Sequence, residues 1–472
     1  MRILFVASEA FPLAKVGGLA DVTSSLAIAL RDLGLEPCLI LPKYGSIKAP
    51  IQEIQGKGFA VSLMGHSESA TLKKTMLKGR IPVYLVENKH YFGTEEIYTQ
   101  DELDRFLFFS LSIPSIISQL DFRPDIIHCH DWHTSLVPLG LKKAKIALPC
   151  IFTIHNLAYQ GSFDQQFSQR SGLSSVWQEY IPAGAPKPSL NFMSQGILLA
   201  DIVTTVSPTY ASEILTPQYG EGLEQLLKYR RNELYGIVNG IDYEEYNPAT
   251  DPYLERNYDS TTIETRVDNK LALQRKSGLP QNPDIPLFGM VSRLEEQKGI
   301  DLLLQAIDQF IVETRAQLVI LGEGREHYHK LLVEAALKHP DRLSAFIAYD
   351  ERLARLIYGG SDIFLMPSRF EPCGLGQLIA MRYGAIPIVR NTGGLADTVK
   401  DMAEGNGNGF VFQNYTVLEI LKAIKRAEES FYHRAEWQNL MRHNMKLDFS
   451  WKASARKYEE IYLRARNTSQ AH

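Results

Sequence analysis

No run of about 18 consecutive apolar residues occurs in this 472-residue chain, so no segment reads as a membrane span. The N-terminus, MRILFVASEA, holds too short an apolar run for the hydrophobic region of a signal peptide, and a cytoplasmic location is the expectation. Cysteine is scarce. Cys38, Cys129, Cys150 and Cys373 show no CxxC spacing, and three of them lie in or beside apolar runs, so buried reduced thiols are expected. Basic residues are not in excess: 50 Lys and Arg against 54 Asp and Glu leave a net charge of −4, which argues against a nucleic-acid partner. Asp-x-Asp occurs nowhere, so a metal held in the way that motif provides is not indicated.

What is present is a long globular chain. Its 45% apolar and 22% charged residues are ordinary for that class, and its length asks for two or three domains. Short apolar runs alternate with helical periodicity throughout. Ile3–Ala7, Glu36–Leu41, Ile81–Glu87, Asp125–His128, Cys150–Ile154, Ile202–Val206 and Leu234–Val238 read as strands of a first doubly wound α/β domain. The alternation restarts at Pro286, with strands at Leu287–Val291, Gln317–Leu321, Leu343–Ile347, Ile363–Met366 and Ile386–Val389. The expected division is 1–245, 246–450, and a final amphipathic helix in 451–472 that packs back near the junction. Two Rossmann-like domains facing a deep cleft are the expected fold.

Several turns carry chemistry. Lys15-Val16-Gly17-Gly18 sits between a strand and a helix, where backbone N–H groups can approach an anion closely. It is not G-x-G-x-x-G, so a dinucleotide is not indicated. Ser292–Gly299 follows a strand and contains Arg293, a planar fork for phosphate oxygens, and Lys298, a point charge. Pro367–Thr398 puts Arg369, Glu371 and Cys373 at one strand's end and the Gly393-Gly394 turn at the next. Two cations and two helix N-termini suit a diphosphate, and a carboxylate on the same wall suits sugar hydroxyls. His155-Asn156 ends another strand and could serve hydroxyls too. His128-Cys129-His130-Asp131-Trp132-His133 invites a metal reading, but the spacing fits no zinc template and alternates across a strand end. A metal-dependent hydrolase built on His128, His130 and His133 is kept as a remote alternative.

The motifs KVGGLADV (Lys15–Val22), DWH (Asp131–His133), TIHNLAYQG (Thr153–Gly161), NGID (Asn239–Asp242), SRLEEQKG (Ser292–Gly299), PSRFEPCGL (Pro367–Leu375) and TGGLADTV (Thr392–Val399) run in order along nearly the whole chain. In this the chain resembles bacterial glycogen synthases and plant starch synthases, glycosyltransferase family 5, with the GT-B fold. The resemblance implies a retaining glucosyltransferase that extends an α-1,4-glucan (glycogen or a maltooligosaccharide) from a nucleotide sugar. ADP-glucose is the expected donor, UDP-glucose or another glucan acceptor the runner-up, and no metal or other cofactor is expected. It also implies roles. Glu371, His155, Lys298, Arg293 and Asp131 resemble catalytic residues, with the His155 carbonyl facing the anomeric carbon. Lys15, Gly17, Gly18, Asn239, Tyr349, Cys373, Gly374, Leu375, Gly376, Gly393 and Gly394 resemble donor-binding residues, with Tyr349 beside the adenine. Asp21, Asn156, Tyr159 and Gln160 resemble acceptor-binding ones. Two positions depart from the family: Tyr246 stands where Trp is frequent, and Gly376 where Thr or Ser is frequent, which removes a hydroxyl expected near the donor phosphates. Gln377 replaces a second carboxylate, as is usual in the family.

Overall fold

The short apolar runs become the strands of two largely parallel sheets. The computed structural model describes residues 1–63, 65–173 and 179–470. The chain divides into one unit of Met1–Gly240 with Trp451–His472 and a second unit of Ile241–Ser450.

The first unit contains β1 (Arg2–Val6), β2 (Glu36–Pro42), β3 (Gln52–Leu63), β4 (His66–Leu77), β5 (Ile81–Glu87), β6 (Ile126–His130), β7 (Cys150–Ile154), β8 (Ile202–Thr205) and β9 (Leu234–Gly236). They form one sheet in the order β3-β4-β5-β2-β1-β6-β7-β8-β9. Pairing is parallel from β5 to β9 and antiparallel along β3-β4-β5. β4 is not apparent in the sequence, because its segment HSESATLKKTML is mostly polar and only Ala70, Leu72, Thr75 and Leu77 are buried. The strand order turns around at β1, which lies between β2 and β6. Such a switch point opens a crevice at the carboxyl ends of the strands. The loops leaving β1 and β6 there carry Lys15–Gly18 and Asp131–His133.

The second unit contains β10 (Leu287–Val291), β11 (Gln317–Gly322), β12 (Leu343–Ile347), β13 (Ile363–Met366), β14 (Ile386–Arg390) and β15 (Phe410–Phe412). All pairs are parallel, in the order β12-β11-β10-β13-β14-β15. β15 is only three residues long, too short to register as an apolar run. Its switch point lies between β10 and β13. The loops that emerge beside it carry Arg293 and Lys298 from β10 and Glu371 from β13.

One boundary differs from the sequence expectation. Residues 241–245 belong to the second unit, not the first, since Ile241 N–H donates to the Phe449 carbonyl at 2.9 Å and Arg355 holds the Glu245 carbonyl at 2.5 Å. The final helix, Trp451–Gln470, is part of the first unit. It packs on helix Gly18–Asp32 through an apolar face that includes Ala455, Tyr458, Tyr462 and Ala465, all buried. The Tyr462 hydroxyl reaches His128 Nδ1 at 2.8 Å, and Ser454 donates to the Val238 carbonyl at 2.7 Å.

Candidate active site

In the second unit the chemistry centres on one ion pair. Lys298 Nζ lies 2.9 Å from Glu371 Oε1 and 2.7 Å from Oε2, and Ser368 Oγ donates to Oε2 at 3.1 Å. The side chains are only 18% and 5% exposed, so the pair is largely shielded from water. An ammonium has three N–H donors, and Glu371 engages two of them, which leaves one for a further oxygen.

Close backbone passage brings these two residues together. Gly299 has φ 78°, and a Cβ there would sit 2.0 Å from the Pro367 carbonyl oxygen. The Arg369 N–H donates to the Gln297 carbonyl at 2.9 Å, so the loops after β10 and β13 are joined directly. The Gly393-Gly394 turn after β14 closes on the same loop. Gly394 N–H donates to the Glu371 carbonyl at 3.1 Å, and Cβ atoms on Gly393 and Gly394 would lie 1.9 Å from Glu371 O and 2.1 Å from Cys373 O. Gly374, at φ 75°, lets the chain turn over Gln377, whose Nε2 donates to the Cys373 and Gly374 carbonyls and to Thr398 Oγ1. Gln377 thus braces this loop from beneath. Leu375 caps the helix that begins at Gly376. A Cβ on Gly376 would meet Met366 Sδ and Phe364 Cε1, each at 3.2 Å, so a Thr or Ser there would need those side chains to give by a few tenths of an ångström.

Arg293 stands on the same β10 loop, half exposed, with Glu295 at 3.4 Å. That loop is fixed from the other side by the β11 turn Gly322-Glu323-Gly324: Leu294 N–H donates to the Glu323 carbonyl at 2.7 Å, and a Cβ on Gly322 would lie 1.9 Å from Ser292 O. Tyr349 follows the edge strand β12 and is 78% exposed, two strands away from β10. Tyr246 stacks beneath the Arg355 guanidinium at 4.1 Å, where an aromatic ring of either kind would serve.

In the first unit the KVGG turn does not use its amides as the sequence suggests. The N–H groups of Val16 and Gly17 are already bound, at 2.6 Å and 2.9 Å, by Glu9 Oε2. The donors left over by helix geometry are those of the first turn of helix Gly18–Asp32, Gly18 and Leu19. Lys15 Nζ pairs with Asp21 at 2.8 Å, both about a third exposed. Gly17 and Gly18 have negative or extended backbone and open space where a Cβ would be, so the chain's own sterics do not require glycine at either place.

Asp131 is the strained residue of the site. Its φ of 58° and ψ of 178° fall in a region used almost only by glycine, at a cost of about 1–3 kcal/mol. Its Oδ1 accepts the His155 N–H at 2.9 Å, so the strain holds the His155 backbone in place. Burial pushes the Asp131 carboxyl up to about 7, against the lowering effect of the His155 and Asn156 amides. His155 Nε2 lies 3.0 Å from His130 Nδ1. Asn156 Oδ1 caps its own turn at Ala158 N–H, 3.1 Å away. Gln160 is tied to the Glu221 carbonyl and to Asn191, at 3.0 Å and 2.6 Å, so its amide positions the loop. Tyr159 is half exposed. Asn239 is buried after β9, with its Oδ1 unpartnered.

The histidine cluster is not a ligand set. His128 Nε2 is bound to Thr153 Oγ1 at 2.6 Å and Nδ1 to Tyr462, so both nitrogens are engaged in the core. His133 stacks on Tyr98 with ring centroids 5.1 Å apart. Among the described residues no group of three His, Cys, Asp or Glu side chains is arranged to hold a metal. Burial lowers His128, His133 and His155 to about 3, and lowers His130 well below its usual range. Their folded values lie below the unfolded one, so the stability they contribute is present above about pH 6.5 and lost as pH falls. Asp131 acts oppositely, losing stability as pH rises through its raised value, but it is one group against four. The melting temperature of the first unit is therefore expected to drop between pH 7 and pH 5, each imidazole adding a slope of up to about 1.4 kcal/mol per pH unit. A flat melting profile over that range would contradict the burial of these rings.

All four cysteines are free and buried, and Cys129 Sγ lies 3.7 Å from Cys150 Sγ. No helix among the described residues is long and apolar enough to cross a membrane. Glu9 and Tyr98 carry no motif that would have marked them. Only a carboxylate two residues beyond a strand, ahead of a glycine turn, hinted at the first.

Residues 2–229 match the starch synthase catalytic domain, and residues 272–443 match the group 1 glycosyl transferases. The chain is 46% identical over 479 residues to the glycogen synthase of Geotalea daltonii, covering 98% of each, and 41% identical to that of Thermotoga petrophila, covering 98% and 99%. In structure it is similar to the catalytic domain of starch synthase IV from Arabidopsis thaliana bound to ADP and acarbose. The TM-score is 0.90 at 35% identity, over 98% of this chain and 99% of that one. A sucrose-phosphate synthase from Thermosynechococcus elongatus shares the fold, with a TM-score of 0.64 at 17% identity. With full-length relatives, both domain matches and two α/β units whose switch-point loops carry its motifs, the chain belongs to the glycogen and starch synthase family of GT-B glucosyltransferases.

Proposed function

We propose that the protein transfers glucose from ADP-glucose to the non-reducing end of an α-1,4-glucan, with retention of configuration and without a metal ion. The observation that carries this reading is the shielded Lys298–Glu371 pair at the switch point of the second unit. It combines a cation with an N–H to spare for a phosphate oxygen and a carboxylate with a lone pair to spare for a sugar hydroxyl. The ADP in the Arabidopsis starch synthase supports the choice of base, and the acarbose there supports a glucan acceptor.

The reaction is a front-face displacement. The bond from the anomeric carbon to the diphosphate breaks, and the acceptor 4-hydroxyl forms the new bond on the same face. Its proton passes to the departing diphosphate oxygen. The protein supplies position and charge. Arg293 and Lys298 stabilise the charge growing on the diphosphate, and Glu371 holds the glucosyl hydroxyls. The His155 carbonyl, set by Asp131, faces the positive charge at the anomeric carbon. Gly393-Gly394, Cys373, Gly374, Leu375 and Gly376 border the donor, Tyr349 covers the base, and Asn239 offers its unpartnered oxygen. Lys15, Gly17 and Gly18 serve the diphosphate, and Asp21, Asn156, Tyr159 and Gln160 shape the acceptor side. The unit of Met1–Gly240 carries Lys15, Asp131 and His155, and the unit of Ile241–Ser450 carries Arg293, Lys298 and Glu371.

A donor panel of ADP-, UDP- and GDP-glucose, each with glycogen and with maltooligosaccharides, tests the assignment through nucleotide release. ADP-glucose with either glucan is expected to react fastest. Preference for UDP-glucose would replace the donor but keep the chemistry, and no glucan-dependent release from any donor would overturn the reading.

A further inference from the structure

The loop Lys15–Gly18 is exposed, yet it is tethered from below by one buried carboxylate. Glu9 is 2% exposed. Its Oε2 accepts the N–H groups of Val16 and Gly17 at 2.6 Å and 2.9 Å, and the Tyr98 hydroxyl donates to its Oε1. The Glu9 backbone is held in turn: its carbonyl accepts Thr23 Oγ1, from the helix that follows the loop, at 2.7 Å. The Tyr98 hydroxyl also lies 3.2 Å from Ser8 Oγ, and its ring stacks on His133 with centroids 5.1 Å apart. Two side chains in series, Glu9 and Tyr98, thus link the loop after β1 to the segment after β6, both at the crevice of the first unit.

A carboxylate under a loop that serves an anionic diphosphate is electrostatically adverse. Its use there needs a reason, and the geometry supplies one. Hydrogen bonds from N–H groups to an ionised acceptor are shorter and about twice as strong as neutral ones. Two of them on one oxygen fix the peptide planes on either side of Val16, and with them the places of Lys15 before and Gly18 after. Gly17 itself imposes nothing, since its surroundings are open and its φ is −135°. We infer that Glu9 is a positioning residue for transfer: through the Val16 and Gly17 amides it holds Lys15 and the first N–H groups of helix Gly18–Asp32 in the geometry that stabilises the departing diphosphate, and Tyr98 locks its rotamer. This rests on the functional reading above.

The test compares the full-length wild type with Glu9→Ala, Glu9→Gln and Tyr98→Phe in glucosyl transfer, with melting temperature and the KM of the glucan measured beside kcat. Glu9→Ala is expected to lower kcat on the order of 10–100-fold while the KM for the glucan stays put, because the contact is needed as charge builds on the leaving group. Glu9→Gln keeps an acceptor oxygen for both amides and is expected to restore most of that kcat. Tyr98→Phe is expected to lower kcat in the same direction by less. A folded Glu9→Ala with wild-type kcat would overturn the inference, as would a Glu9→Gln no better than Glu9→Ala, which would assign the effect to charge instead of position. If Glu9→Ala fails to fold, Tyr98→Phe decides, and full kcat in it overturns the inference. Absence of transfer by the wild type is a separate result, and it overturns the functional reading itself.

Discussion

Arg293→Ala is expected to lower kcat by a factor on the order of 10²–10³, the size of loss that follows removal of one preorganised donor from a developing oxyanion. Lys298→Ala is expected to lose as much. The two should differ in stability. Arg293 is half exposed, and its contact with Glu295 at 3.4 Å is a surface pair worth about 0–1 kcal/mol, so its melting temperature should hardly move. Lys298 neutralises a carboxylate that is 5% exposed, and removing one partner of such a pair costs about 3–5 kcal/mol. Activity should therefore be normalised to the folded fraction for Lys298→Ala, whereas Arg293→Ala reports on catalysis directly. Wild-type turnover in a folded Arg293→Ala would remove the arginine from the mechanism.

The second large effect separates two kinds of glycine. Gly393 has φ 44°, and a Cβ there would lie 1.9 Å from the Glu371 carbonyl oxygen, a clash with backbone that no rotamer relieves. Gly393→Ala is expected to cost about 3 kcal/mol or more and to abolish activity by displacing Glu371. Gly17 meets nothing within 4 Å and has ordinary backbone. Gly17→Ala should keep the wild-type stability to within about 1 kcal/mol and still lower transfer by roughly tenfold, because on the proposed reading the added methyl enters space used by the donor. Thermal melts and transfer rates of the two variants check this together. An active, stable Gly393→Ala, or a Gly17→Ala indistinguishable from wild type, would contradict the assignment of these turns.

Much of this was legible in the chain. Apolar runs such as Leu287–Val291 and Ile363–Met366 are strands because both faces are buried, and the residues that follow them must then lie on one sheet edge. That places Lys298 and Glu371 on the same edge of the sheet without any coordinates, while the adjacency of β10 and β13 comes from the strand order. Their contact was not legible, since it depends on Gly299 passing close to Pro367, 68 residues later in the sequence. The same limit applies to His128. Its partners Thr153 and Tyr462 lie 25 and 334 residues away, and without them a core histidine looks like a potential ligand. Glu9 is silent in the sequence for a related reason: a lone carboxylate after a strand has no pattern, and only its bonds to Val16 and Gly17 reveal its part. In sequence the KVGG turn looks like an amide cradle because glycines signal room, not which donors are already taken.

The most direct test is transfer from ADP-glucose labelled with ¹³C at the anomeric carbon to a short maltooligosaccharide, in excess chelator, followed by NMR of the product. The expected result is a new α-1,4-linked glucosyl unit at the non-reducing end, formed at the same rate with and without the chelator. A β-linked product, or transfer abolished by chelation and restored by a metal ion, would contradict a retaining mechanism in which Arg293 and Lys298, and no metal ion, carry the charge of the leaving diphosphate.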